Sequence, residues 1–97
     1  MSMFGSDVPS GAHGDVLSAT PTDDVSKANL VDEIKRRAKG SIMSKNYPEA
    51  VLLYTKAIDI YPDNAILHAN RSMCKLSMKQ AKNALEDAIK ATELDRK

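Results

Sequence analysis

The chain repeats itself at an interval of 34 residues. The pairs of similar residues at this interval are Ala50 and Ala84, Ala57 and Ala91, Ile42 and Leu76, and Ile60 and Leu94. A period of this length is typical of stacked copies of one supersecondary unit, none of which can bury its hydrophobic face alone. We therefore expect a first repeat over about residues 31–64 and a second over about residues 65–97.

Apolar residues at helical spacing predict four helices. In the first of them, every fourth residue from Leu30 to Ile42 is apolar, which places one stripe against the core. Pro48 follows a short polar stretch and is tolerated in the first turn of a helix but not in its interior. The first helix is predicted to start between Asp23 and Lys27 and to end near Ser44. The other three are predicted to cover about Pro48 to Tyr61, Ala65 to Ser77 and Gln80 to Leu94. The predicted fold is all-α: two tandem helix–turn–helix repeats in a short right-handed α-solenoid.

The first 25 residues differ from the rest in composition and charge. They are rich in Gly, Ser, Pro, Asp and Thr and have no hydrophobic period, so they cannot offset the entropy of ordering their backbone. Residues 1–26 contain four aspartates and no lysine or arginine, whereas the remaining residues contain 14 basic and 9 acidic side chains. We expect a disordered acidic tail over residues 1–25 and a basic folded domain over residues 26–97.

Composition argues against several functional classes. The only cysteine, Cys74, cannot form a disulfide within the chain, which favours the cytoplasm, and also the nucleus, as the location. No apolar run is long enough to span a membrane, and the basic residues lack the interleaved aromatics that stack on nucleic-acid bases. Cys74 and His68 are interpreted as packing residues. We expect no catalytic site, no metal and no cofactor, and hence no enzyme.

The segment NYPEAVLLYTKAIDIYPDNAILHANRS, residues 46–72, resembles the tetratricopeptide repeats of heat-shock co-chaperones. The likeness extends over roughly residues 28–97. It implies a protein-interaction adaptor whose groove is lined by the first helix of each repeat. In such proteins the groove holds the acidic C-terminal peptide of a seventy- or ninety-kilodalton heat-shock chaperone by means of a carboxylate clamp.

The resemblance also assigns candidate peptide-binding residues. Lys35 and Asn70 occupy the positions of the clamp lysine in the family's first repeat and of the asparagine in its second. Lys39 replaces a family asparagine, and two lysines one helical turn apart repel each other unless an anion lies between them. A terminal carboxylate held by these lysines and the Asn70 amide would be such an anion. Met73 is expected to add apolar surface to the groove.

Other interpretations of the same residues stay open. The basic residues of the first helix could simply form a solvated face. The Lys and Arg that the family's third repeat contributes have no counterpart in these 97 residues, so we expect weak peptide binding. A second function is assembly, since the apolar face of the last helix could pair with another copy or dock a partner. A third is that the chain is the targeting segment of a longer enzyme, such as a phosphatase or a peptidyl-prolyl isomerase, which only sequence beyond Lys97 could show.

Overall fold

A computed structural model describes residues 13–95, which form five α-helices and no strand. The helices are α1 (Gly14–Leu17), α2 (Asp24–Met43), α3 (Tyr47–Ile60), α4 (Ala65–Ser77) and α5 (Ala81–Asp95). Successive helices pack on each other: α2 on α3, α3 on α4 and α4 on α5. The all-α fold with two tandem helix–turn–helix repeats is thereby confirmed, α2 and α3 forming the first pair and α4 and α5 the second.

The turns inside the two repeats have the same backbone geometry. Lys45 and Lys79, which are 34 residues apart, both adopt the left-handed conformation, with φ of 60° and 63°. The residue after Lys45 donates its backbone N–H to the carbonyl of Ser41 at 2.7 Å, and the residue after Lys79 donates to that of Lys75 at 2.9 Å. These bonds satisfy carbonyls that the helix ends would otherwise leave unpaired. The sequence period therefore corresponds to a repeated turn as well as to repeated helices.

The core consists of small and branched side chains from α2, α3 and α4. Ile34, Leu53 and Leu67 are fully buried, and so are alanines on α2 and α3. Alanine at these contacts lets two helix backbones approach closely, where a larger residue would separate them. Cys74 is buried in the same cluster, which confirms its interpretation as a packing residue, and burial raises the pKa of its thiol. His68 is also buried, with Nε2 lying 2.9 Å from the Pro62 carbonyl oxygen.

The short helix α1 differs from the prediction of an unstructured tail over residues 1–25. Val16 is only 4% exposed and belongs to the core cluster, with Leu17 packed beside it. A helix of four residues is not stable alone, so α1 depends on this packing. Two adjacent apolar residues are too few to produce a hydrophobic period, which is why the sequence pattern does not indicate it. The predicted tail over residues 1–12 lies outside the described residues.

A buried carboxylate, Asp87, joins three helices. Arg71 Nε and Nη2 donate to its two oxygens at 2.9 and 2.7 Å, and Lys75 Nζ lies 2.9 Å from Oδ2. Arg71 Nη1 also donates to Thr55 Oγ1 at 3.0 Å, so the network links α3, α4 and α5. Burial alone would raise the pKa of Asp87, but the hydrogen bonds from Arg71 and Lys75 outweigh it and lower that pKa overall. The second repeat is thus fixed to the first by a charged network as well as by apolar contacts.

We expect Asp87→Asn to destabilise the fold. The substitution leaves Arg71 and Lys75 without a counter-charge at a site that is 5% exposed, and breaking a buried ion pair in this way costs about 3 kcal/mol or more. The matched control is Glu86→Gln on the exposed side of α5, which should change the free energy of unfolding by less than about 0.5 kcal/mol. Urea unfolding of the three proteins measures the difference. Equal stability of the two variants would contradict this role of Asp87.

The Asp87 network also predicts a pH dependence. Because the pKa of Asp87 is lower in the folded state, its stabilisation is complete above the unfolded pKa of about 3.9 and is lost as pH falls through the folded pKa. The stability gap between the wild type and Asp87→Asn should therefore be constant near neutral pH and shrink in acid. Other carboxylates with lowered pKa values are present in both proteins and cancel in this gap. Urea unfolding at several pH values measures this difference in stability. A difference that grows as pH falls would contradict a lowered pKa of Asp87 in the folded state.

Candidate peptide-binding site

A pocket of about 370 Å³ lies where α2, α3 and α4 meet. Its lining residues are Asp32, Lys35, Arg36 and Lys39 on α2, Tyr54 on α3 and Asn70 on α4. We call this the basic pocket. It brings together residues from both repeats, so it exists only when the first repeat is packed on the second.

The amphipathic pattern of α2 places its lysines at the rim of the basic pocket. Val31, Ile34 and Ala38 are buried and hold one stripe of α2 against the core. Lys35 and Lys39 are four residues apart and therefore lie one above the other on a different, exposed face. The helix can keep both ammonium groups in water while the stripe beside them is packed.

Positive charge exceeds negative charge in the basic pocket. Among residues 13–95, neither Lys35 nor Lys39 has a carboxylate oxygen within 4.0 Å. Arg36 forms an ion pair with Glu33 and is largely exposed. Asp32 is the one carboxylate among the lining residues. Because Glu33 compensates Arg36, two lysines remain against Asp32, and this excess of positive charge favours an anionic ligand.

Tyr54 and Asn70 form the inner wall of the basic pocket. Tyr54 is buried between the helices, and this burial raises the pKa of its hydroxyl, while the neighbouring Asn70 side chain opposes the rise. Asn70 lies on α4 between the buried residues Leu67 and Cys74, which fix the orientation of that turn. The wall therefore offers an amide and a hydroxyl, both able to hydrogen-bond an anion.

The structure brings together three of the four residues that the sequence predicts for binding. Lys35, Lys39 and Asn70 line the same pocket, whereas Met73 is not among its lining residues and is 59% exposed. Met73 lies three residues after Asn70 and hence on the same side of α4, but farther along the helix than the basic pocket. The apolar surface that Met73 was expected to add to the groove stays a prediction.

Sequence reasoning missed three lining residues: Asp32, Arg36 and Tyr54. Tyr54 carries a packing role in the repeat pattern, and nothing in that pattern shows that its hydroxyl end reaches a pocket. Asp32 could have been found, because it lies three residues before Lys35 and hence on the same face of α2. The only sequence signal for Arg36 is that it directly follows Lys35 and so borders the face of α2 that carries the lysines.

No family model matches the chain, and no solved structure matches it significantly. Among curated proteins, it is 33% identical over 75 residues to "Small glutamine-rich tetratricopeptide repeat-containing protein 2" of Saccharomyces cerevisiae, covering 77% of this chain and 22% of that one. The chain is a tetratricopeptide-repeat protein. This identification agrees with the 34-residue period and the two helix pairs.

Other relatives of this tetratricopeptide-repeat chain support the co-chaperone type. It is 39% identical over 66 residues to serine/threonine-protein phosphatase 5 of Homo sapiens, which covers 68% of this chain and 13% of the relative. It is 38% identical over 65 residues to "Heat shock protein sti1 homolog" of Schizosaccharomyces pombe, which covers 67% and 11%. The resemblance to co-chaperone repeats is confirmed. The chain spans less than a quarter of the length of each of these relatives.

Two further properties of the described residues bear on possible ligands. In that part of the chain no three His, Cys, Asp or Glu side chains are grouped so that they could hold a metal ion. None of the described helices is both long and apolar enough to cross a membrane.

The two lysines of the basic pocket should repel each other in the absence of ligand. We expect a double-mutant cycle of Lys35→Gln and Lys39→Gln to give an unfavourable coupling of about 0.2–0.5 kcal/mol in the free energy of unfolding at low salt. Added salt should reduce the coupling, because exposed charges are screened. Thermal unfolding of the four proteins measures it. If the two substitutions have strictly additive effects on the free energy of unfolding at low salt, the two ammonium groups do not repel each other.

Proposed function

We propose that this chain is a protein-interaction adaptor of the co-chaperone type that binds an acidic C-terminal peptide in the basic pocket. The observation that carries the proposal is the convergence of Lys35 and Lys39 with Asn70 on one pocket with an excess of positive charge. An adaptor needs no catalytic group, and we propose no enzymatic activity for this chain. Its proposed place of action is the cytoplasm, and also the nucleus.

The peptide's terminal carboxylate is the group that suits this arrangement. Placed between Lys35 and Lys39, it accepts charge-assisted hydrogen bonds from both and removes their mutual repulsion. The Asn70 amide donates a further hydrogen bond from α4. Binding energy in this scheme comes from groups of both repeats, so the orientation of α4 on α2 and α3 matters as much as the charges.

We further propose that the peptide belongs to a heat-shock chaperone of the seventy- or ninety-kilodalton class. Support comes from similarity to co-chaperone repeats, among them those of a protein named "Heat shock protein sti1 homolog". It also comes from the match of Lys35 and Asn70 to clamp positions of that family. Lys39, in place of an asparagine, adds a positive charge to the pocket and favours an acidic peptide end.

An acidic peptide with a free C-terminus should bind this chain, and the same peptide with an amidated C-terminus should bind much more weakly. The reason is that amidation removes the charge that Lys35 and Lys39 would hold. Asn70→Ala should weaken binding of the free-acid peptide by about tenfold or more, since one hydrogen bond to a charged group contributes about 1.5–3 kcal/mol. Fluorescence anisotropy with labelled peptides measures both effects.

The matched control for Asn70→Ala is Asn83→Ala on the exposed face of α5, which should leave peptide affinity unchanged. Equal affinity for the free and amidated peptides would overturn the carboxylate clamp. If binding depends on the terminal carboxylate but not on Asn70, the lysines of α2 bind the peptide and the Asn70 amide on α4 does not.

A second candidate function is assembly through α5. Leu85 and Ile89 are 60% and 50% exposed, and together with Ala88 they line a shallow apolar cleft. Self-association or partner docking at this face would cover it. Sedimentation over a range of protein concentrations distinguishes this candidate: a monomer at all concentrations argues against self-association. The match to part of a protein phosphatase keeps the targeting of a longer enzyme as a further proposal.

A further inference from the structure

Residues 13–19 lie across α2 and α3 and are held there by polar contacts at both ends. Arg37 Nη1 and Nη2 donate to the two carboxylate oxygens of Asp15 at 2.8 and 2.9 Å. Lys56 Nζ donates to the carbonyl of Ala19 at 2.6 Å. We call residues 13–19 the N-terminal strap. Its position on the helices is defined by these contacts together with the buried Val16.

The N-terminal strap lies on a different side of the fold from the basic pocket. Arg37, which binds the strap, is two residues after Lys35, and two residues correspond to a rotation of about 200° around a helix. The strap and any peptide in the basic pocket therefore contact opposite faces of α2. A ligand at the strap would be independent of one at the basic pocket.

An apolar pocket of about 400 Å³ lies between the strap and the start of α3. Its walls include Leu17, Pro48, Leu52 and Leu53, with His13 and Glu49 at the edge. The size is within the range of pockets that hold small ligands or inserted side chains. Leu52 is 52% exposed here, and burying its surface would be favourable. We call this the strap pocket.

The carboxylate at the edge of the strap pocket, that of Glu49, is already paired. Glu49 accepts a hydrogen bond from Ser41 Oγ at 2.5 Å and lies 3.1 Å from His13 Nε2. These contacts lower the pKa of Glu49, with the bond from Ser41 the larger cause. The Glu49 carboxylate therefore does not oppose an apolar group that enters the pocket.

We propose that the strap pocket is the docking site for residues 1–12 of this chain, with Phe4 as the anchoring side chain. His13 lines the pocket, so the preceding residues start from its edge. Phe4 is nine positions before His13, a span of at most roughly 30 Å, which is ample for the segment to fold back over Leu52. Residues 1–12 include Met3 and the only phenylalanine of the chain, and Asp7 is their only charged side chain.

The energetic reason for this docking is the apolar surface on both sides. An aromatic ring buries 150–250 Å² when it is inserted, roughly the largest gain that a single residue of this segment can offer. The exposed face of Leu52 gains as well. The segment would lose backbone freedom on docking, and the glycines in it make this loss larger. An anchor of Phe4 size is therefore needed to offset it.

The test uses Phe4→Trp in the full chain, which otherwise contains no tryptophan. We expect its fluorescence emission to lie at shorter wavelength, and its quenching by acrylamide to be several-fold weaker, than in a free peptide of residues 1–12 with the same substitution. Adding Leu52→Gln, which puts an amide in the pocket wall, should return both readouts to the values of the free peptide. The matched control is Leu76→Gln, at a similarly exposed leucine of α4, which should leave them unchanged.

Circular dichroism of each variant checks that the helices are retained. Emission equal to that of the free peptide in the otherwise unaltered Phe4→Trp chain would overturn the proposal and leave the strap pocket to a side chain of another protein. A blue shift that survives Leu52→Gln would also overturn it, because the ring would then lie elsewhere. A blue shift that appears only at high protein concentration would assign the segment to a second copy and equally contradict docking within one chain.

Discussion

The position of α4 depends on the buried carboxylate of Asp87. Arg71 and Lys75 project from α4 to this group on α5, and the same guanidinium reaches Thr55 on α3. A buried ion pair has strict geometric requirements, since each charge costs several kcal/mol to desolvate and is compensated only when its partners are in place. Asn70 precedes Arg71 directly. The network that joins the repeats therefore also determines the position of the Asn70 amide in the basic pocket.

Helix α2 shows how one segment serves three purposes. Its buried stripe, represented by Ile34 and Ala38, packs on the core. Lys35 and Lys39 face the basic pocket, and Arg37 on the far side holds the N-terminal strap through Asp15. Because 3.6 residues complete a turn, neighbours in sequence point in quite different directions. The run of basic residues in the sequence is thus divided between a candidate binding site and an internal ion pair.

The sequence predicted most of what depends on a period. The bounds of the four long helices, the core alanines and the meeting of Lys35 with Asn70 all follow from a 34-residue repeat and a family likeness. Contacts without a period were missed: Val16 is one buried residue in a polar stretch, and Asp87 resembles any exposed acidic residue until its partners on α4 are seen. The extent of a single pocket was not predictable either: Met73 shares a side of α4 with Asn70 but is not among the residues that line the basic pocket.

The central claim is that the ligand binds where the two repeats meet, at the basic pocket. The most direct measurement is a nuclear magnetic resonance titration of the ¹⁵N-labelled chain with an acidic peptide that carries a free C-terminus. We predict that the largest shifts occur at the side-chain amide of Asn70 and at backbone amides of residues 35–39. Shifts centred on Leu85 and Ile89 instead would contradict the claim and make the exposed face of α5 the binding surface.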